Sequence, residues 1–184
     1  MIPSFNSFLK ESFKKSMGLE TYYYLKENLS RTNVSTDKTY QTIFNRFYRV
    51  RRNKEWRDVF YGYFETIKNK KSVSFEEIIK YLYEHTGSVE ASFSSKLLST
   101  INPEMPILDQ FVLQNLGIKK ELTSDKGFKL KNAIDIYQSV IDKEKALLEE
   151  EEVQSFIRDF KAFFPEYDLT DTRILDLLLW GVRE

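Results

Sequence analysis

Apolar residues recur along this chain at the three-to-four spacing of amphipathic helices, with polar residues filling the opposite faces. Phe5, Phe8, Leu9 and Phe13, interleaved with Lys10, Lys14 and Lys15, predict a first helix that ends near Met17 and Gly18. Tyr22, Tyr23, Tyr24 and Leu25 begin a second helix, and their rings read as core. The polar stretch 31–36 reads as a loop, after which Ser35, Thr36 and Asp37 are candidate N-caps. The helix they open buries Tyr40, Ile43, Phe44, Phe47 and Tyr48. It runs into a basic stretch of Arg46, Arg49, Arg51, Arg52, Lys54 and Arg57, and a further stripe follows at Trp56, Phe60, Tyr63, Phe64 and Ile67.

Ser74 and Glu77 form a capping box, in which each side chain satisfies the other's backbone N–H. The helix behind it buries Phe75, Ile78, Ile79, Leu82 and Tyr83 and ends at Gly87, a residue able to take the left-handed conformation. Ala91 to Ile101 is the next helix, stopped by Asn102 and Pro103, because proline disfavours helical geometry in the residue before it. Asp109 then opens a helix carrying Val112, Leu113 and Leu116 as far as Gly117. The stretch 119–129 reads as a charged loop, and a long helix starts near Phe128. The acidic run 149–152 marks a solvated corner, followed by a helix through Val153, Phe156, Ile157, Phe160 and either Phe163 or Phe164 that Pro165 closes. Thr170 and Asp171 cap a terminal helix over 171–183 that is apolar enough to dock into the core. With no convincing strand alternation and no internal repeat, the expectation is a compact all-α fold of about ten helices in one domain spanning 1–184.

Composition narrows the chemistry. At 184 residues, with 15 Phe, 11 Tyr and 2 Trp, the chain has material for a large aromatic core. It has no cysteine, which excludes disulfides and thiolate chemistry. His85 is the only histidine, so no histidine-based triad or His-rich metal site can form. No Gly-rich phosphate loop or dinucleotide fingerprint is present. No metal or other cofactor is therefore expected. No run approaches a membrane span and no secretory apolar region opens the chain, so a soluble cytoplasmic monomer is the expectation. The formal net charge is zero, and any nucleic-acid surface must come from local clustering. The basic stretch with Tyr48 and Trp56 beside it is such a cluster, although a solvated helix face with pairs such as Lys54 and Asp58 explains the same pattern.

The segment from His85 to Gly117 joins a Gly-containing turn, a helix, a proline-bounded loop and an acid at the start of the next helix. In Thr86-Gly87-Ser88-Val89, Ala91 to Ile101 and Pro106-Ile107-Leu108-Asp109, it resembles the core of the helix-hairpin-helix DNA glycosylase superfamily, which includes endonuclease III and MutY-like enzymes. The resemblance implies a compact helical fold, as one unit or as two helical halves flanking a cleft, with the hairpin between two helices near 86–90. It implies Asp109 as the catalytic acid, and Gly87, Ser88 and Val89 as a hairpin whose backbone amides hold a DNA phosphate. Arg49, Arg51 and Arg52 would flank the double-stranded DNA.

The sequence departs from the family pattern at two places. Val89 stands where the family's second hairpin glycine is usual, and Ala91 stands in the slot of the nucleophilic lysine of bifunctional members. Lys96 lies five residues on, roughly 140° around the helix. An alignment shifted by one residue puts Ser92 in the slot and Lys96 one turn further along the same face. The implied activity is thus monofunctional or degenerate: hydrolysis of the N-glycosidic bond of a damaged or mispaired base, with Lys96 accessory. The lack of cysteine excludes the iron–sulfur cluster of some relatives. A non-catalytic nucleic-acid-binding module and a helical protein-interaction factor are the alternatives.

Overall fold

The computed structural model describes residues 5, 7, 8, 18–70, 72–119 and 125–181. Among them nine helices have defined bounds, and no strand occurs. They are α1 (Leu19–Asn28), α2 (Lys38–Phe47), α3 (Lys54–Ile67), α4 (Phe75–Thr86), α5 (Ala91–Ile101), α6 (Gln110–Asn115), α7 (Lys126–Leu148), α8 (Glu151–Phe163) and α9 (Asp171–Gly181). Most of the first expected helix falls outside the described residues. Phe5, Ser7 and Phe8 are helical, and Phe5 packs edge-on against Phe156, Phe160 and Phe163 of α8.

Local chemistry sets the helix ends. Asp37 caps α2 by accepting from the Tyr40 N–H, and Asn53 caps α3 by accepting from the Trp56 N–H. The Ser74 and Glu77 capping box is present on α4. The long α7 starts at Lys126, within the expected loop, because Asp125 accepts from the Phe128 N–H and caps it there.

The basic stretch is not one continuous helix. Helix α2 stops at Phe47, and Arg49 takes a left-handed conformation with φ 55°. The Tyr48 N–H donates to the Phe44 carbonyl and the Val50 N–H reaches back to the Asn45 carbonyl, each at 2.9 Å. This is a Schellman-type stop, completed by burial of Val50. Glycine or asparagine is usual at that position; arginine there carries ~1–2 kcal/mol of backbone strain. Arg49, Arg51 and Arg52 therefore lie on a short connector before α3.

Aromatic packing fills the interior. Phe44 of α2 meets the rings of Tyr48, Phe60, Tyr61 and Phe64. Two of the buried tyrosines place their hydroxyls on acceptors. Tyr40 donates to the Leu25 carbonyl and Tyr61 to Asn45 Oδ1. The terminal helix is the hub. It packs against α6, α7 and α8, and every residue from Thr172 to Leu179 is buried. Apolar side chains on all sides account for this position.

Two charges are carried inward with it. The Arg173 guanidinium lies 3.4 Å from Asp176 Oδ2 and 4.4 Å from the centre of the Tyr22 ring. Glu144 of α7 faces the same pair, and neither of its oxygens has a hydrogen-bond partner among the described residues. Burial pushes both carboxyls upward in pKa; the Asp176 charge raises Glu144 further, whereas the Arg173 guanidinium and the Ile107 N–H work against the rise at Asp176. Asp176 has a guanidinium and a backbone N–H as donors, whereas Glu144 has none. The proton therefore resides on Glu144.

This assignment fixes a sign. Folded Glu144 holds a proton that the unfolded chain releases above its ordinary value of 4.5. Its contribution to stability is complete below that value and is lost as pH rises, at ~1.4 kcal/mol per pH unit, until the folded carboxyl itself titrates. In urea melts between pH 5 and pH 9, the parent midpoint should fall more steeply with pH than that of Glu144→Gln. Parallel pH profiles would show that Glu144 is ionised in the folded protein.

Candidate functional site

The turn joining α4 to α5 is short. Gly87 ends α4 with φ 69°, and its N–H donates to the Tyr83 carbonyl at 2.9 Å. The Ser88 N–H turns back to Thr86 Oγ1 at 3.4 Å. Gly87 and Ser88 are exposed, whereas Val89 packs partly against the core. With two of its amides engaged internally, the turn offers fewer free N–H groups than its sequence pattern implies.

Glu90 follows and is buried. Its carbonyl accepts from the Ser94 N–H at 2.8 Å and from the Ser94 hydroxyl at 2.9 Å, fixing the first turn of α5. Its side chain accepts from Arg52 Nη2 at 2.8 Å. Arg52 thus has an acidic partner within the protein, and its guanidinium also lies 5.8 Å from the Trp56 ring centre and 5.6 Å from that of Phe93. The connector after α2 consequently runs beside α5. At one end the Thr100 hydroxyl donates to the Tyr48 hydroxyl at 3.4 Å, and at the other Arg52 meets Phe93 and Glu90. Arg49 lies between these contacts and is exposed, as is Arg51.

Lys96 projects from the middle of α5, with Nζ 5.6 Å from the centre of the Phe93 ring and 3.9 Å from Asp109 Oδ2. The two side chains are only 13% and 22% exposed. Burial lowers the basicity of the Lys96 amine; the Asp109 charge works against that, and the Arg49 charge adds to it. The structure thus brings Lys96 and Asp109 together, with Arg52 over the same Phe93 ring and Arg49 on the connector between the Tyr48 and Arg52 contacts with α5. Ala91 is half-buried near the start of α5. Lys96 stands roughly 8 Å further along the helix axis, at 1.5 Å per residue.

Asp109 caps α6, with Oδ1 accepting from the Phe111 N–H at 3.1 Å. The loop that delivers it is held by side chains from three directions. Ser95 of α5 accepts from the Leu108 N–H at 2.9 Å. Asp176 of α9 accepts from the Ile107 N–H at 3.1 Å. Tyr137 of α7 donates to the Pro106 carbonyl at 2.9 Å, and Thr170, just before α9, donates to that of Pro103 at 2.8 Å. Proline at 103 and 106 removes two backbone donors and limits φ, which suits a segment anchored through side chains.

Sequence reasoning missed Glu90, Ser95 and Asp176. The small serines of α5 read as a close-packing face, and one of them is a hydrogen-bond anchor. The i, i+3 spacing of Arg173 and Asp176 inside an otherwise apolar helix was the available signal for a buried ion pair.

Removing the Ser95 hydroxyl leaves the buried Leu108 N–H unpaired, which costs ~1–3 kcal/mol. Ser95→Ala should lower the unfolding free energy read from urea melts by that amount and speed exchange of the Leu108 amide selectively. A midpoint and an amide-exchange rate equal to the parent's would show that this bond does not hold the loop. Comparison of the chain with family models, with curated proteins and with solved structures gives no match.

Proposed function

We propose that this protein is a DNA glycosylase-like factor of the helix-hairpin-helix kind. In this reading Asp109 faces the sugar of an extruded nucleotide and stabilises the positive charge that develops as the N-glycosidic bond breaks. The observation that carries the proposal is the meeting of Asp109 and Lys96, thirteen positions apart, on a loop and a helix anchored to one another. A partly shielded carboxylate beside an amine of lowered basicity can hold a water and move a proton between the two groups. The exposed Gly87 and Ser88 turn and Arg51 would lie against the flanking backbone.

A second reading keeps the nucleic acid and drops the chemistry. It is favoured by the N-cap bond of Asp109, which gives that side chain a complete structural role without catalysis.

Excision from a panel of duplexes carrying damaged or mispaired bases separates the readings. Asp109→Asn retains an equally good cap, so the fold should survive. Excision should fall by about 10²–10⁴-fold, the range for a positioned acid–base group. Borohydride should trap no protein–DNA adduct, because Ala91 occupies the expected lysine slot. Trapping that vanishes in Lys96→Gln would instead make Lys96 the nucleophile. Undiminished excision by Asp109→Asn, or no excision of any base by the parent, would leave the binding module as the function.

A further inference from the structure

Among the described residues, Arg49, Arg52 and Lys96 outnumber the two carboxylates paired with them, Glu90 and Asp109. Arg52 is matched by Glu90 at 2.8 Å. Lys96 has one nearby anion, Asp109, at 3.9 Å, which is beyond hydrogen-bond length. Arg49 has no ion-pair or hydrogen-bond partner among the described residues, and it occupies the left-handed position that glycine fills without strain. The Tyr48 contact with Thr100 and the Arg52 contact with Phe93 hold the connector along α5 on either side of Arg49. A flat surface adjoins Lys96: the Phe93 ring, whose centre is 5.6 Å from both Lys96 Nζ and the Arg52 guanidinium.

We propose that Arg49 and Lys96 form an anion site that takes the phosphate group of a nucleotide, with Phe93 and the Arg52 plane beside it as a stacking surface. The guanidinium supplies a fork of donors and the ammonium a point charge, a pairing suited to phosphate oxygens. Bound phosphate relieves the repulsion between the two cations, which burial of Lys96 makes worse. Strain retained at Arg49 then has a reason: arginine is kept where glycine would give the more stable fold. The site deepens the glycosylase-like reading by placing a backbone phosphate next to Asp109. It stands separately from that reading, because it predicts anion binding whether or not a base is released.

The test uses the full chain with two probes, a nucleoside 5′-monophosphate and a short single-stranded oligonucleotide, titrated by calorimetry at two salt concentrations. Arg49→Gly should raise the melting temperature by a few degrees while weakening binding of the recognised probe tenfold or more. Lys96→Met keeps the stem over Phe93 and should weaken binding similarly. Lys131→Ala, which removes an exposed charge from α7, should leave binding within about twofold. Binding of the monophosphate identifies a free nucleotide as ligand. Binding of the oligonucleotide alone, with a salt slope that falls by about one in Arg49→Gly, identifies a nucleic-acid backbone.

Unchanged affinity in Arg49→Gly, or binding of neither probe by the parent, would overturn the proposal. So would a lower melting temperature in Arg49→Gly, which would make Arg49 a structural residue. Anion binding with this pattern alongside unaltered excision in Asp109→Asn would retain the site and discard the catalytic role. Lost excision in Asp109→Asn with unchanged anion binding in Arg49→Gly would do the reverse.

Discussion

Asp176 lies on a helix with no solvent-facing side, so its carboxylate must find every partner inside the protein. It finds two: the Arg173 guanidinium, one turn earlier on α9, and the Ile107 N–H in the loop that leads to Asp109. Neither the pair nor the loop stands without the other. Burial of the ion pair alone is costly, because desolvation offsets most of its attraction, and loss of one partner from such a pair costs ~3–5 kcal/mol. The loop supplies the missing donor, and the carboxylate in return sets the height at which Ile107, Leu108 and Asp109 leave α9 and approach α5. Glu144 completes the balance by staying neutral: a second buried anion beside a single guanidinium would leave net negative charge in an apolar interior.

That arrangement divides the molecule by kind of constraint. The Asp109 loop is fixed by hydrogen bonds to Ser95 of α5, Tyr137 of α7, Asp176 of α9 and Thr170 just before α9. The cation facing Asp109, Lys96 of α5, is long and is held by packing and charge rather than by a short hydrogen bond. A carboxylate held this firmly can stabilise charge without reorganising. A lysine at 3.9 Å retains the freedom to move towards a ligand or towards the acid.

Much of the architecture was legible because periodicity and caps report it directly. The α4 capping box, the left-handed Gly87, the proline stop after α5, Asp109 at the start of α6 and the buried terminal helix all follow from local rules, and the structure has each of them. Two features lay beyond those rules. The break at Arg49 was hidden because an arginine occupies a glycine position, so the usual stop signal is missing and the aromatic stripe continues through it. The meeting of Lys96 with Asp109 depends on how far the loop after Pro103 carries the acid around α5, and no spacing within one helix encodes that. The Arg52 pairing with Glu90 was invisible for a similar reason: a charge that reads as surface in the sequence is neutralised by a residue 38 positions away.

The placement of charge also explains how a chain with no net charge can present a cationic face. The acidic run at 149–152 sits where α7 turns into α8, and its residues cap and solvate that corner. The basic run sits on the connector beside α5. There Glu90 and Asp109 withdraw their charge into partly or fully buried positions, while Arg49 and Arg51 remain exposed. Segregation of this kind costs little in solvent, where charges beyond about 10 Å are screened at ordinary ionic strength. It becomes consequential where side chains are shielded from solvent, as those of Lys96 and Asp109 are. There, neutralisation by a ligand is worth more than the same charges would provide on an open surface, since the effective dielectric is lower.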